Sequence, residues 1–201
     1  MYSVGSPFVR VFVLARHGQS VLNVAGIVNG DPGRDRGLTD QGIEEARELG
    51  RQISAVAVQV AVVSEFPRAV QTAEVALSGR AIPYVVDDDL GDIRLGELEG
   101  ASLARYRAAK PHSDHNVRFP AGESLNEAAR RYARAFERLL ARSESVTLVV
   151  CHEIAVRYSV NAAGGSDDLD EPLHNVANAT PYVLDEAGLQ GAITGILELA
   201  R

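Results

Sequence analysis

Short β-branched apolar runs alternate with amphipathic helical patterns along this chain, and this alternation limits the fold more than any other feature. The runs predicted as strands are residues 9–14, 58–63, 84–86, 146–150, 181–184 and 193–197. The helical patterns cover about residues 39–53, 67–77, 101–109, 123–142 and 153–162, the last closed by Gly164 and Gly165. Strands that alternate with helices indicate an α/β fold, here a three-layer, doubly wound, mostly parallel sheet flanked by helices.

The chain is predicted to form a single domain over residues 1–201. Its length suits one compact unit, and it contains no internal repeat and no linker rich in Pro, Gly or Ser. The least regular stretch lies between the third strand and the long fourth helix. We expect about residues 93–122 to form a small lid insertion over one edge of the sheet.

Composition excludes several functional classes. The net charge is −7, from 27 acidic and 20 basic residues, which argues against a nucleic-acid partner. No apolar run approaches the roughly 20 residues needed to cross a bilayer, so no membrane partner is expected. Residues 1–8 show no signal-peptide layout, and the single cysteine, Cys151, gives no support to secretion. These observations favour a cytoplasmic location.

Polar and charged residues follow three of the predicted strands at the point where each strand ends. Arg16 and His17 follow the first strand, Arg68 comes shortly after the second, and His152 follows the fourth. Ligands of open α/β sheets bind beyond the carboxyl ends of the strands, so two arginines and two histidines are expected at one rim. Helix N-termini and arginine forks both favour tetrahedral phosphate as the ligand of such a rim.

Arg16-His17-Gly18, with Asn23 after it, resembles the Arg-His-Gly signature of the histidine phosphatase superfamily, the group of phosphoglycerate mutases and related phosphatases. Further segments match this family in its own order: residues 37–42, 64–74, 90–100, 121–124 and 149–153. The resemblance therefore covers nearly the whole chain and implies a phosphoglycerate mutase-like fold.

The resemblance implies a role for each residue of the rim. His17 would be the nucleophile that forms a phosphohistidine, and flanking arginines would keep its imidazole neutral by lowering its pKa. Arg16, Arg68 and His152 would hold the phosphoryl oxygens and the charge of the transition state. Two further residues are expected to contact the phosphate: Gly18, through close approach of its backbone, and Asn23, through its amide.

The leaving alkoxide needs a proton, and one carboxyl group can supply it and later accept a proton from water. Asp92, Glu97 and Glu99 are the candidates. Asp92 occupies the place of the acid that is commonly Glu in the family, whereas Glu97 matches a structural or lid position and is the alternative proton donor.

Two residues beside His152 need separate interpretation. Cys151 and Arg157 have the spacing of cysteine-dependent phosphatases, but the residues between them lack glycine, so a small buried side chain is the favoured interpretation of Cys151. Glu153 stands where many relatives carry Gly. A carboxylate that faced the phosphate would repel it, so Glu153 is expected to point away or to contact a substrate hydroxyl.

The remaining histidines and several arginines are ambiguous. His112 and His115 have a spacing found in metal sites, but a surface loop is favoured, and His174 is expected to make local hydrogen bonds. The mechanism requires no metal and no cofactor. The arginines of the lid are either substrate contacts or exposed charges: Arg105, Arg107 and Arg118. One of Arg130 and Arg131 is expected to brace the site from the long helix.

We therefore predict a phosphomonoester hydrolase that acts on a small phosphorylated metabolite through a phosphohistidine. The resemblance implies that mutases of the superfamily shield this intermediate with longer insertions, and a sequence of 201 residues leaves little room for them. Phosphoglycerate mutase-type transfer and a non-catalytic phosphate-binding module are the alternatives. The sequence does not determine the oligomeric state, and a homodimer is compatible with it.

Overall fold

A five-stranded sheet forms the centre of the computed structural model, which describes residues 10–110 and 114–201. Its strands are β1 (Val11–Arg16), β2 (Val60–Val63), β3 (Tyr84–Val86), β4 (Val146–Cys151) and β5 (Pro181–Asp185). They lie in the order β3-β2-β4-β1-β5, and β5 alone runs antiparallel to its neighbour. The predicted mostly parallel α/β sheet is confirmed.

Helices cover both faces of the sheet. They are α1 (Val21–Val24), α2 (Asp40–Gln52), α3 (Pro67–Ala76), α4 (Leu103–Ala109), α5 (Leu125–Leu140), α6 (Glu153–Ala163) and α7 (Glu186–Leu199). Successive strand residues point to opposite faces. Phe12 and Leu14 of β1 join a core with α5, α6 and α7, whereas Val13 and Ala15 join a second core with α2 and α3. The three-layer architecture follows from this alternation.

Local signals set the starts of the main helices. The Thr39 hydroxyl accepts a hydrogen bond from the Gly42 N–H and caps α2, and Pro67 occupies the first turn of α3. Ser124 and Glu127 form a reciprocal capping box at the start of α5. Gly164 caps the end of α6, as predicted.

The strand predicted at residues 193–197 is wrong, because this stretch lies inside helix α7. Its β-branched residues favour a strand only over a short window. The buried residues of α7 are Leu189, Ala192, Ile193 and Ile196. Their spacings of three, one and three residues place them on one face of a helix. Packing of this face against α5 and α6 outweighs local β-propensity.

Only part of the predicted lid lies over the surface. Four apolar residues of the segment are buried in the core beside α5, which anchors its two ends: Ile93, Leu95, Leu98 and Phe119. Helix α4 buries none of its residues and forms the outer part of the segment. Val9, the start of the first predicted strand, lies outside the described residues.

Within residues 10–110 and 114–201, none of the helices has the length and apolar character to pass through a membrane.

Candidate active site

Topology brings the predicted rim residues together. Arg16 ends β1 and is in register with Cys151, which ends β4, so His17 and His152 leave neighbouring strands at the same level. The His17 N–H donates to the Cys151 carbonyl at 3.0 Å. Arg68 enters from the first turn of α3, just after β2. Two arginines and two histidines thus share one end of the sheet.

Arg68 is the centre of this group. Its Nε lies 3.1 Å from Nε2 of His17, and its Nη2 lies 3.2 Å from Nδ1 of His152 and 3.0 Å from Oδ2 of Asp92. The two imidazole centroids are 5.2 Å apart. One buried guanidinium therefore contacts both rings and the predicted general acid, so the three groups can act on one phosphoryl group.

The hydrogen bonds of His17 determine the tautomer of its ring. Nδ1 lies 2.7 Å from the Gly18 carbonyl, which can only accept, and Nε2 faces the Arg68 N–H, which can only donate. Nδ1 therefore carries the proton and Nε2 the lone pair. Burial, followed by the charges of Arg68 and Arg16, holds the pKa of His17 well below its usual value. The ring is neutral at physiological pH and can attack phosphorus.

His152 is fully buried and is fixed by two groups from the end of β2. Its Nε2 lies 2.8 Å from the Ser64 Oγ, and its ring packs edge-on against Phe66 with centroids 4.7 Å apart. Burial, together with Arg68, lowers the pKa of His152 well below its usual value. A hydroxyl both donates and accepts, so Ser64 can serve either neutral tautomer. The sequence analysis gave Ser64 no role; its place directly after a strand was the available signal.

Asp35 holds Arg68 from the other side and was also missed from the sequence. Its Oδ2 accepts the Arg68 backbone N–H at 3.0 Å and lies 3.4 Å from Nη1 of the same residue. The side chain is fully buried. Its Oδ1 accepts from the Gly37 N–H, and an acid that closes such a turn looks like any loop aspartate in a sequence.

Asp92 has the position and the environment of a proton donor. Its side chain is 25% exposed and lines the cavity. Burial raises its pKa, while Arg68 opposes the increase. Its Oδ2 also lies 3.4 Å from Nδ1 of His152. A carboxyl with a raised pKa beside the phosphoryl site retains a proton more readily than an exposed aspartate.

The other two candidate acids, Glu97 and Glu99, have different environments. Glu97 is exposed and does not line the cavity. Glu99 accepts backbone hydrogen bonds from Gly30 at 2.9 Å and Leu95 at 3.0 Å, and it stabilises the loop. Among the three candidates, Asp92 is the one that contacts Arg68.

Arg131 braces the acid from α5, whereas Arg130 donates to a carbonyl near the C-terminus. Arg131 is buried and pairs with Glu123. It donates to three carbonyls, at 2.8, 2.9 and 3.1 Å, of Asp89, Gly91 and Asp92. The backbone that carries the predicted proton donor is thereby fixed to the long helix.

Gly18 and Asn23 are the two further residues that were predicted to contact the phosphate. The Gly18 N–H donates to the Thr72 Oγ1 at 3.0 Å, and a Cβ on Gly18 would lie 2.5 Å from the Gly42 carbonyl oxygen. Glycine is needed here for packing against α2, and the approach of the Gly18 backbone to a phosphate stays a prediction. Asn23 lines the cavity, and its Oδ1 accepts the Ser20 N–H, which leaves its amide NH2 for a ligand.

Glu153 lines the cavity, so the first of its two expected positions, pointing away, is wrong, and contact with a substrate hydroxyl stays a prediction. Its Oε2 lies 2.8 Å from Nη1 of Arg16, and its Oε1 lies 3.2 Å from Nη1 of Arg157. Arg16 also donates to the Val176 carbonyl at 2.9 Å. Glu153 therefore balances the charge of one phosphate-site arginine.

The environment of Cys151 contradicts a thiolate mechanism. The side chain is buried in the core, and burial raises its pKa to about 12. A thiol with that pKa is not ionised near neutral pH, and the thiolate is the nucleophilic form.

Two of the ambiguous histidines, His115 and His174, lie away from the rim. His112 is outside the described residues. His115 Nε2 is 3.5 Å from Asp170 Oδ2, and His174 Nε2 is 2.8 Å from Glu171 Oε1 on the surface. No group of three or more His, Cys, Asp or Glu side chains among residues 10–110 and 114–201 is arranged to hold a metal ion.

The three arginines of the predicted lid also differ in their environments. Arg107 lines the cavity from α4, Arg105 is exposed on the same helix, and Arg118 pairs with Glu127 at 3.0 Å. The cavity has a volume of about 540 Å³ and extends from the rim to α4. Apolar residues and a tyrosine also line it: Leu22, Val24, Ile27, Leu103 and Tyr106.

Comparison with known proteins identifies the family. The model of the histidine phosphatase superfamily (branch 1) matches residues 12–196. The chain belongs to this superfamily. Its sequence is 31% identical to the 2,3-bisphosphoglycerate-dependent phosphoglycerate mutase of Parvibaculum lavamentivorans over 197 residues, which cover 89% of this chain and 92% of the mutase.

Solved structures of the superfamily share the fold. YhfR of Bacillus stearothermophilus superimposes with a TM-score of 0.77 at 27% identity, covering 87% of this chain and 90% of that one. The alpha-ribazole phosphatase of Shigella flexneri gives a TM-score of 0.75 at 25% identity, with 87% and 90% covered. The relatives of this chain thus include both mutases and phosphatases.

Proposed function

We propose that this chain is a phosphomonoester hydrolase that acts on a small phosphorylated metabolite through a phosphohistidine at His17. The observation that carries the proposal is the contact of Arg68 with Nε2 of His17, Nδ1 of His152 and Oδ2 of Asp92. A nucleophile, a phosphate-binding imidazole and an acid are held around one cation, and the superfamily match gives this arrangement its chemical meaning.

In the first step, Nε2 of His17 attacks phosphorus and the bond to the ester oxygen breaks. Arg16, Arg68 and His152 hold the phosphoryl oxygens, where charge develops. The departing alkoxide takes the proton of Asp92 and leaves as an alcohol. The products of this step are the alcohol, the Asp92 carboxylate and the phosphohistidine.

In the second step, water attacks the phosphohistidine and gives a proton to the Asp92 carboxylate. Phosphate and neutral His17 are released, and the site returns to its starting state. Water access supports hydrolysis over transfer to a second substrate. Asp92, which would accept the proton of the attacking water, is 25% exposed within the cavity, so solvent reaches this carboxyl group.

The test is the hydrolysis of p-nitrophenyl phosphate by wild type and His17→Ala, with 2- and 3-phosphoglycerate assayed for isomer exchange and free phosphate. We expect the wild type to release phosphate and His17→Ala to lose this activity. Exchange of the phosphoglycerates without phosphate release would establish a mutase instead. Equal background rates in both proteins would favour a binding module. We expect EDTA to leave the rate unchanged.

A further inference from the structure

A carboxylate stands next to the phosphate-binding residues of the cavity. Glu153 is the first residue of α6, directly after His152, and its Oε2 pairs with Arg16 at 2.8 Å. The mechanism proposed above gives this residue no step. Its pairs with Arg16 and Arg157 offset this charge without removing it, and a negative charge beside a site for phosphate disfavours phosphate binding in general.

The position of Glu153 relative to Asp92 locates it beside the departing group. Asp92 marks the side of the phosphoryl group from which the ester oxygen leaves, since it protonates that oxygen in the proposed mechanism. Both carboxylates line the same cavity. Asp92 Oδ2 lies 3.4 Å from Nδ1 of His152, and Glu153 is the next residue after His152, so both acids stand beside the same end of β4. Glu153 thus borders the space that the alcohol part of a substrate would occupy.

The neighbouring cations are already balanced within the protein. Arg157 lies 3.2 Å from Glu153 Oε1 and 2.6 Å from Asp170 Oδ1, and it also donates to the His174 carbonyl at 3.0 Å. Lys110 lies 3.7 Å from Asp170 Oδ2. These ion pairs reduce the capacity of this wall to attract a second anionic group of the substrate. Arg107 also lines the cavity, but its exposed guanidinium is screened by solvent.

A carboxylate in this place favours hydroxyl donors. Its oxygens accept hydrogen bonds from substrate hydroxyls, and bonds to a charged acceptor are about twice as strong as neutral ones. A substrate carboxylate in the same space would face a like charge. Leu22, Ile27 and Leu103 complete the cavity with apolar surface that suits an uncharged group.

We infer that Glu153 is a specificity-determining residue that selects phosphomonoesters whose alcohol part is hydroxylated and uncharged, and disfavours those whose alcohol part carries a carboxylate. The inference rests on the proposed hydrolase function. It names the substrate class of the same site, and it distinguishes this chain from what the name of its phosphoglycerate mutase relatives suggests.

A matched pair of substrates tests the inference. Glycerol 3-phosphate and 3-phosphoglycerate differ in one group, a hydroxymethyl in the first and a carboxylate in the second. We expect wild type to have a kcat/KM about tenfold or more higher for glycerol 3-phosphate, since like charges in a partly solvated cavity repel to about this extent. In Glu153→Gln, which keeps size and acceptor oxygen but removes the charge, the ratio should fall to within about threefold.

The ratio is measured within each protein, so it does not depend on the fraction that is folded. Glu171→Gln is the control, because Glu171 is an exposed carboxylate of a nearby loop that pairs with His174, and it should keep the wild-type ratio. The inference is overturned if wild type hydrolyses p-nitrophenyl phosphate but shows no preference for glycerol 3-phosphate, or if Glu153→Gln keeps that preference. Failure of wild type to hydrolyse any of the three esters would overturn the proposed function instead.

Discussion

At the scale of single residues, the proposed mechanism assigns the proton transfer to Asp92, so the effect of removing this carboxyl group should depend on the leaving group. We expect Asp92→Asn to lower kcat/KM for glycerol 3-phosphate by about 10²–10⁴-fold, the usual contribution of a general acid. The loss for p-nitrophenyl phosphate should be much smaller, because nitrophenolate leaves without a proton. Steady-state kinetics on the two esters measure the difference.

Glu97→Gln is the matched control for this prediction, since Glu97 is an exposed acid of the same segment. It should retain wild-type rates on both esters. Equal losses on the two esters in Asp92→Asn, or a leaving-group-dependent loss in Glu97→Gln, would mean that Asp92 is not the proton donor.

The two buried histidines make stability depend on pH. Burial and Arg68 hold the pKa values of His17 and His152 well below 6.5 in the folded state, whereas both return toward that value on unfolding. Below the unfolded value the unfolded chain therefore binds more protons, so the free energy of unfolding decreases as pH falls. The slope is up to about 1.4 kcal/mol per pH unit for each histidine.

His17→Gln removes one of these groups, so we expect its stability to fall less steeply than that of wild type between about pH 6.5 and 5. Urea unfolding at several pH values measures both slopes. Asp92, whose pKa is raised by burial, acts in the opposite sense and is present in both proteins. Identical slopes in the two proteins would show that His17 titrates normally in the folded state.

At the scale of elements, helix α5 determines where the Asp92 segment lies. Arg131 is buried and carries that contact, whereas Arg134, one turn further along, makes an exposed pair with Asp89 at 3.3 Å. We expect Arg131→Ala to lower the free energy of unfolding by about 3–5 kcal/mol, because it leaves Glu123 buried without its partner. Arg134→Ala should lower it by less than about 1 kcal/mol. Denaturant unfolding measures the free energy of unfolding of both variants. Similar losses in the two would show that Arg131 does not hold the Asp92 segment in place.

Asp170 joins helix α4 to helix α6. It pairs with Arg157 of α6 at 2.6 Å and with Lys110, at the end of α4, at 3.7 Å. Since α4 buries none of its own residues, we expect this contact to limit its opening. Asp170→Asn should accelerate amide hydrogen exchange in α4 severalfold and leave β4 unchanged. Asp167→Asn, an exposed neighbour, should have no effect, and unchanged exchange in Asp170→Asn would show that other contacts hold the helix.

At the scale of the whole molecule, the features that follow from strand topology could be predicted from the sequence. Arg16 ends a strand, and His17 and His152 follow strands directly, so the parallel sheet alone places them at one rim. The residues that hold them were not predictable, because each partner is distant along the chain. Asp35 contacts Arg68, 33 residues later, and Ser64 contacts His152, 88 residues later, and neither has a local pattern that differs from a turn or strand end.

The same difference explains the error in secondary structure and the packing role of Gly18, which the sequence analysis did not foresee. The β-branched residues near Ile193 favour a strand locally, but the helix is stabilised by packing against α5 and α6. The need for glycine at position 18 comes from the carbonyl of Gly42 in α2, which no sequence pattern relates to it. In each case a tertiary contact determines the local structure, and the pattern of a single sequence does not reveal that contact.

The central claim is that His17 becomes phosphorylated during turnover. A radiolabelled phosphate ester is mixed with excess enzyme, quenched in alkali, where phosphohistidine is stable, and the labelled peptide is identified by mass spectrometry. We predict label on the peptide that contains His17, on that imidazole, and none in His17→Ala. Label on another residue, or release of phosphate with no protein-bound intermediate at any quench time, would contradict the account.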